Sequence, residues 1–377
     1  MLALRDRGFR VSAAGTGDAK PFRDAGLPYF PFNFKRFVSP FADWSAIGAI
    51  AGVLQNASPD VIHSFDTKPS LLVPMAARRI GHRRVVRTIN GRGWLYSSRS
   101  PMSLGLRPVY RALHRIAACS TAATIFEHGE DQAFFERHGM IGHGGSTVIP
   151  GAGIDVQGFE RSLASAAAPA ELRKVLGLDA SEVVITVTRM TRQKGIPALL
   201  EAAALVHAER PDVRFLLVGP RESEGRLAVS KAEIDRHAPY VMATGQRTDI
   251  PALLRLADVF AFPTEYREGV PRALCEAGLV GLPCVATDMP GCREVIRDGW
   301  NGFLVPPGQP RLMADRILDL LRDRQSGREM GARAAEPIRN KFSLDAIVNQ
   351  TAAVYESLFA RSARSPRATE LEHVSGM

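Results

Sequence analysis

The sequence predicts an α/β protein of two facing, doubly wound parallel-sheet lobes with a cleft between them. Three observations predict it. Short β-branched apolar runs alternate with segments of helical period along most of the chain, the pattern of strands buried on both faces between helices. That series occurs twice. Between the two lies "IPGAGIDVQGF" at 149–159, followed by the Ser/Ala-rich "RSLASAAAPAEL", in which no strand could start. A chain of 377 residues is also long enough for two domains of roughly 150 residues each.

The first series places strands at Phe9–Ala14, Val61–His63, Val85–Ile89, Ala122–Phe126 and Thr147–Ile149. The second places them at Val183–Thr188, Val213–Val218, Tyr240–Thr244, Asp258–Phe262, Cys284–Thr287 and Gly302–Val305. The helix expected over Ile196–Glu209 typifies the connections. Pro197 suits a first turn, Leu199, Ala203 and Val206 form one apolar stripe, and Pro211 ends the run. The expected organisation is a first domain over 1–150, a second over 151–335, a helix over 336–360 returning toward the first domain, and a polar, aperiodic tail over 361–377 read as disordered. Facing lobes of this kind bring strand C-termini and helix N-termini to one interlobe cleft, where ligands bind.

Composition excludes several classes. Hydrophobic residues at 45% and charged residues at 23% rule out a disordered or fibrous chain. The longest apolar stretches, such as Ala46–Leu54, are well short of the ~20 residues that span a bilayer. Cys119, Cys275, Cys284 and Cys292 show no C-x-x-C pairing, which speaks against a zinc site or disulfide framework and for a reducing cytosol; the opening residues show no charged, apolar and small-residue leader pattern, so the expectation is a chain not marked for secretion.

The net charge of +9 is concentrated: residues 1–150 hold 19 Lys and Arg against 10 Asp and Glu, whereas the remainder is balanced. No acid lies between Asp66 and Glu127, while Lys68, Arg78, Arg79, Arg83, Arg84, Arg87, Arg92, Arg99, Arg107, Arg111 and Arg115 do. Such a block suits anionic headgroups or diphosphates. Nucleic acid fits poorly, since no base-stacking or groove-reading pattern accompanies it.

The residues suited to chemistry lie in the second series. Arg189 and Lys194 leave the end of its first strand and Gly195 precedes a helix, a pair of cations suited to a diphosphate leaving group. In "TEYREGVPRALCEAG", Glu268 stands in a loop and Glu276 on the following helix, with Pro271 at the helix start and Gly281 at its stop. The expectation is that the N–H groups of Val270, Arg272 and Ala273 are free and form an anion site beside Gly269. Each carboxylate can accept sugar or ribose hydroxyls.

These elements together, R-x4-K-G at 189–195, E-x7-E at 268–276 and the "VIPGAGID" hinge, resemble the retaining nucleotide-sugar glycosyltransferases of family four, which have the GT-B architecture of two Rossmann-like domains. "LLVGP", "ADVFAFPT", "PGCREVI" and "DGWNGFLVPPG" support the likeness in the same order. The resemblance implies catalytic roles for Arg189, Lys194 and Glu268. It implies Arg189 and Lys194 on the donor diphosphate, Glu268 on the transferred sugar, Glu276 on the ribose, and a base pocket near Gly219, Gln246 and Arg247. It further implies metal-independent transfer by a front-face route in which a leaving-phosphate oxygen takes the acceptor proton.

Three departures are visible. Asn90 stands where many members carry His, Pro271 removes one N–H from the cradle, and the chain opens inside the first expected helix. The last implies a native start upstream of Met1. "PDVIHSFDTKPSLLVPMAARRIG" and "RTINGRGWLYSS" are similar to the branch that extends glycans on undecaprenyl diphosphate in surface polysaccharide or glycoprotein assembly. That implies a lipid-linked or oligosaccharide acceptor, a UDP-linked donor with GDP left open, and a monomer or weak dimer at the inner face of the cell membrane. Lys68, Asn90, Arg92 and Arg99 are the residues proposed to meet acceptor or membrane.

Other readings remain. A nicotinamide enzyme would use Gly15 and Gly17, but Lys20 stands at the third glycine of that fingerprint. The same fold could serve as an inactive glycan-binding scaffold, or act on a small soluble sugar. His63, His114, His128 and His143 are scattered and are read as structural.

Overall fold

The computed structural model describes residues 1–33, 40–98, 100–151, 153–178 and 181–364. In the first lobe β1 (Ala13–Gly15) pairs with β2 (Tyr29–Pro31), and β3 (Ile62–Phe65), β4 (Val85–Ile89), β5 (Ala123–Phe126) and β6 (Ser146–Val148) form a four-stranded sheet in sequence order. In the second lobe β7 (Glu182–Val187), β8 (Val213–Val218), β9 (Val241–Gly245), β10 (Val259–Phe262), β11 (Cys284–Thr287) and β12 (Phe303–Val305) lie in the order β12-β11-β10-β7-β8-β9. Every pairing is parallel.

The second sheet is buried on both faces, as its uninterrupted apolar strands require. Val183, Ile185, Leu216, Val218, Phe260 and Phe262 point to one core. Val184, Phe215, Leu217, Val259 and Ala261 point to the other. The Ile196–Glu209 helix closes the second core with Leu199, Ala203 and Val206, all buried.

The first strand is not where the apolar run places it. It begins at Ala13 rather than Phe9, because the Phe9 ring packs edge-to-face on Tyr355, 6.0 Å away, and joins the C-terminal helix instead of a sheet. β2 was not legible at all, being a short, partly exposed strand. Tyr29 of β2 donates its hydroxyl to the Gly17 carbonyl at 3.0 Å, so the loop that a nicotinamide reading needs for phosphate is held by a side chain.

The chain returns to the first lobe after the Arg324–Phe342 helix. The Leu344–Arg364 helix sets Tyr355 and Leu358 against Val86 and Ile125. The Tyr355 hydroxyl lies 2.6 Å from His63 Nδ1, and Thr88 Oγ1 lies 2.7 Å from His63 Nε2. Burial pushes the His63 pKa down to about 3, consistent with a neutral structural ring. This helix continues past Arg361, into the stretch read as disordered; 365–377 lies outside the described residues.

The basic block is not one surface. Arg87 is wholly buried on the central β4, where Nη2 donates to the Met140 carbonyl at 2.7 Å and burial lowers its pKa to about 10.

Candidate active site

The end of β7 leads through Arg189 to a 3-10 turn over Arg192–Lys194, and Thr191 Oγ1 accepts the Lys194 N–H at 3.3 Å. Gly195 then adopts φ +70°, and a Cβ there would lie 1.9 Å from the Pro263 carbonyl oxygen at the end of β10. Only glycine lets the two strand ends approach this closely. The approach carries Lys194, itself buried, to Glu268, with Nζ 2.5 Å from Oε2. Thr264 donates to the other carboxylate oxygen at 3.0 Å. Two residues separated by 74 positions thus meet at the head of the Arg272–Val280 helix.

Not all of the expected set converges. Arg189 pairs with Glu224 at 2.9 Å and is half-exposed. Glu276 is buried and receives Arg272 Nε at 2.7 Å. The Gly219 N–H donates to the Gly245 carbonyl at 2.9 Å, which brings Gly219 beside the turn carrying Gln246 and Arg247. Gln246 is exposed, and Arg247 is held by Asp249 at 2.5 Å.

The largest departure concerns the anion cradle. The Val270 N–H, expected to be free, donates to Glu127 Oε2 of the first lobe at 3.0 Å. Pro271 occupies the N-cap and offers no capping side chain, so Arg272 and Ala273 retain uncapped N–H groups in the first turn. A Cβ on Gly269 would overlap Glu127, which explains a glycine there.

Glu127 was not singled out from the sequence. It ends the apolar β5 run, and an acid directly after such a run, at the C-terminal end of a parallel strand, was the available signal. Asn90 holds its second oxygen: Nδ2 donates to Glu127 Oε1 at 2.5 Å while Asn90 Oδ1 accepts the Asp66 N–H at 3.3 Å. Burial pushes the Glu127 carboxyl up to about 7, the hydrogen bonds from Val270 and Asn90 oppose this, and neighbouring Glu268 and Asp66 add to it.

These groups surround an interlobe cleft of about 360 Å³, with Asp66, Asn90 and Glu127 on one wall and Arg267, Glu268 and Val270 on the other. A second interlobe contact lies nearby. Glu130 accepts Arg267 at 2.6 Å and Arg293 at 2.5 Å. A cleft lined by the carboxylates of Asp66 and Glu268 suits the hydroxyl groups of a sugar, each of which can donate to a carboxylate. Among the described residues no cluster of three His, Cys, Asp or Glu is disposed to hold a metal ion.

The first-lobe cations are also placed differently from expectation. Lys68 is answered by Asp43 at 2.6 Å and Arg92 by Asp131 at 2.6 Å, both largely shielded, so neither presents a charge outward. Arg99 lies outside the described residues.

Residues 1–150 match the family described as "Glycosyl transferase 4-like domain", and residues 181–323 match "Glycosyl transferases group 1". An Escherichia coli UDP-Gal:alpha-D-GlcNAc-diphosphoundecaprenol alpha-1,3-galactosyltransferase is 29% identical over 286 residues, covering 75% of this chain and 71% of that one. A Campylobacter jejuni N,N'-diacetylbacillosaminyl-diphospho-undecaprenol alpha-1,3-N-acetylgalactosaminyltransferase is 26% identical over 339 residues, covering 89% and 88%. The Anabaena protein Alr3699/HepE, solved in complex with UDP and glucose, superposes with a TM-score of 0.76 at 24% identity over 94% of this chain and 93% of that one. At that identity the superposition speaks for the fold.

Proposed function

The chain belongs to glycosyltransferase family four and transfers sugar from a nucleotide-sugar donor, and from that premise we propose that it is a retaining, metal-independent enzyme that extends a polyprenyl-diphosphate-linked glycan from a UDP-linked sugar. The observation that carries the reading is the Lys194–Glu268 pair at 2.5 Å, set at the mouth of the interlobe cleft. In the proposal Lys194 meets the donor diphosphate as its charge grows, and Arg189 turns from Glu224 to assist. Glu268 accepts hydroxyls of the transferred sugar and Glu276 those of the ribose. The uncapped N–H groups of Arg272 and Ala273 add fixed dipoles at the helix start.

The bond from the acceptor oxygen to the anomeric carbon forms on the face from which the phosphate leaves. The acceptor proton passes to that phosphate oxygen, so the nucleoside diphosphate departs with it and no protein base is used. Gly219, Gln246 and Arg247 frame the base, and the acceptor enters from the Asp66–Asn90 wall. The lipid-linked acceptor is supported by the activities of the Escherichia coli and Campylobacter jejuni relatives, both named for diphosphoundecaprenol-linked substrates. Work on such a substrate would put the enzyme at the inner face of the cell membrane.

The test is a thermal-shift panel of nucleotide diphosphates and nucleotide sugars in the presence and absence of EDTA, followed by label transfer. A ligand at 100 times its Kd adds about 2.7 kcal/mol of stability. Stabilisation by UDP-sugars, unaffected by EDTA, and transfer of label to a polyprenyl-diphosphate glycan are expected. Transfer to free sugars alone would overturn the lipid-linked acceptor.

A further inference from the structure

Resting on the reading that donor and acceptor meet in the interlobe cleft, we propose that Glu127 is a positioning residue of the transfer reaction. From the first lobe it fixes the Gly269–Val270 peptide, and with it the Glu268 carboxylate, at the distance from the acceptor wall that attack requires. Glu127 is only 7% exposed, and its two oxygens serve opposite walls of the cleft. Oε2 accepts the Val270 N–H at 3.0 Å, and Oε1 accepts Asn90 Nδ2 at 2.5 Å. Asn90 Oδ1 in turn accepts the Asp66 N–H at 3.3 Å. One hydrogen-bonded line thus runs from Asp66 on the acceptor side to the loop that carries Glu268.

The packing leaves this line little slack. A Cβ on Gly269 would lie 1.3 Å from Glu127 Oε2, and one on Gly151, in the hinge segment, 2.3 Å from Glu127 Cδ. Across the loop, a Cβ on Gly291 would lie 2.0 Å from the Gly269 carbonyl oxygen. The backbone at 269–270 is therefore clamped between the first-lobe carboxylate and the Pro290–Val295 helix of the second lobe. Glu268, the preceding residue, is gripped from its own lobe by Lys194 at 2.5 Å and Thr264 at 3.0 Å, so its place relative to the first lobe follows the clamped peptide.

Folding alone does not call for an acid here. Val270 and Asn90 are neutral donors, and burial pushes the Glu127 carboxyl up to about 7, so at neutral pH the group is held at a cost that a neutral side chain of the same shape would largely avoid. Buried titratable groups of this kind gather at functional sites. The proposed donor contacts, Lys194, Arg189, Glu276 and the uncapped N–H groups of Arg272 and Ala273, all lie in the second lobe, and none is Val270. Glu127 can therefore stay on Val270 while the nucleotide is bound. Its effect falls on the alignment of the two substrates, where a misplacement of about 1 Å costs on the order of a hundredfold in rate.

The experiment compares the full chain with Glu127→Ala, Asn90→Asp and the exchange Glu127→Gln/Asn90→Asp. The exchange keeps both side-chain shapes and reverses one bond: the amide at 127 accepts from Val270 and donates to the carboxylate at 90, which still accepts the Asp66 N–H. Three quantities are read: UDP affinity by calorimetry, label transfer from a UDP-sugar to a polyprenyl-diphosphate glycan, and the distance between spin labels on the two lobes. The labels sit on Cys119, exposed in the first lobe, and on Val175→Cys, at a position 80% exposed in the second. Glu127→Ala is expected to lose about a hundredfold in transfer rate and to broaden the label distances, with UDP affinity held at the wild-type value. Asn90→Asp, which sets two carboxylates face to face, should lose at least as much, and the exchange should recover at least tenfold of that loss. Wild-type transfer or unchanged label distances in Glu127→Ala, or an exchange no better than Asn90→Asp, would each overturn the proposal. So would a tenfold tighter hold on UDP in Glu127→Ala, the mark of a carboxylate that the donor must displace. Wild-type transfer to free sugars alone overturns the lipid-linked acceptor but not this role, which the same loss measured on the free sugar supports.

Discussion

Glu127, at the end of a first-lobe strand, accepts the backbone N–H of Val270, which directly precedes the Pro271 N-cap of the Arg272–Val280 helix in the second lobe, at 3.0 Å. One carboxylate therefore joins the two lobes at a peptide group that the motif pattern assigns to the donor. Asn90 completes the contact, so the amide that stands in place of the usual histidine acts here by holding Glu127 and the Asp66 backbone.

Burial keeps the Glu127 carboxyl protonated up to about pH 7, above its ordinary 4.5. The native state thus binds a proton that the unfolded chain releases first, and stability falls as pH rises from about 4.5 to about 7. Glu127→Gln removes this dependence but leaves one neighbouring donor unmatched, at a cost of about 1 kcal/mol. Relative to wild type, the variant is expected to gain on the order of 3 kcal/mol between pH 4 and pH 8 in denaturant titrations. Parallel stability curves would show that the carboxyl titrates normally.

Lys194 is buried and Glu268 only partly exposed, so removing one partner strands a charge. Lys194→Ala is expected to abolish donor-dependent turnover and to lower stability by about 1–3 kcal/mol. Lys194→Met with Glu268→Gln should recover most of that stability and none of the activity, read by calorimetry and by nucleotide release. Activity in the double variant would remove the pair from the site.

Glu276 answers an arginine whose side chain is 64% exposed, a contact worth less than about 1 kcal/mol. Glu276→Ala should therefore melt close to wild type while losing donor-dependent turnover. Unaltered KM for the donor would contradict its ribose role.

Two glycines separate backbone strain from collision. Gly195 and Gly281 both have φ near the left-handed value, +70° and +80°, but a Cβ at Gly195 meets the Pro263 carbonyl at 1.9 Å and one at Gly281 meets nothing within 4 Å. Gly281→Ala should cost about 1 kcal/mol. Gly195→Ala should cost at least ~3 kcal/mol and displace Lys194 from Glu268. Equal melting shifts in the two variants would rule out the close approach.

The parallel sheets and their strands from β3 onward were legible in the amino-acid order, within a residue or two at the ends, because strands buried on both faces must be apolar throughout and periodicity exposes them. The motif residues were legible for a related reason: Gly195 and Pro271 announce backbone positions that few other residues fill. Pairing was not. Whether Lys194 faces Glu268 or Arg189 faces Glu224, whether Val270 offers its N–H or gives it to Glu127, and whether Arg87 meets solvent or the core depend on which distant strand ends fold together. Side-chain partners across 74 or 143 positions leave no local periodicity, since their choice is made by packing and desolvation once the lobes close.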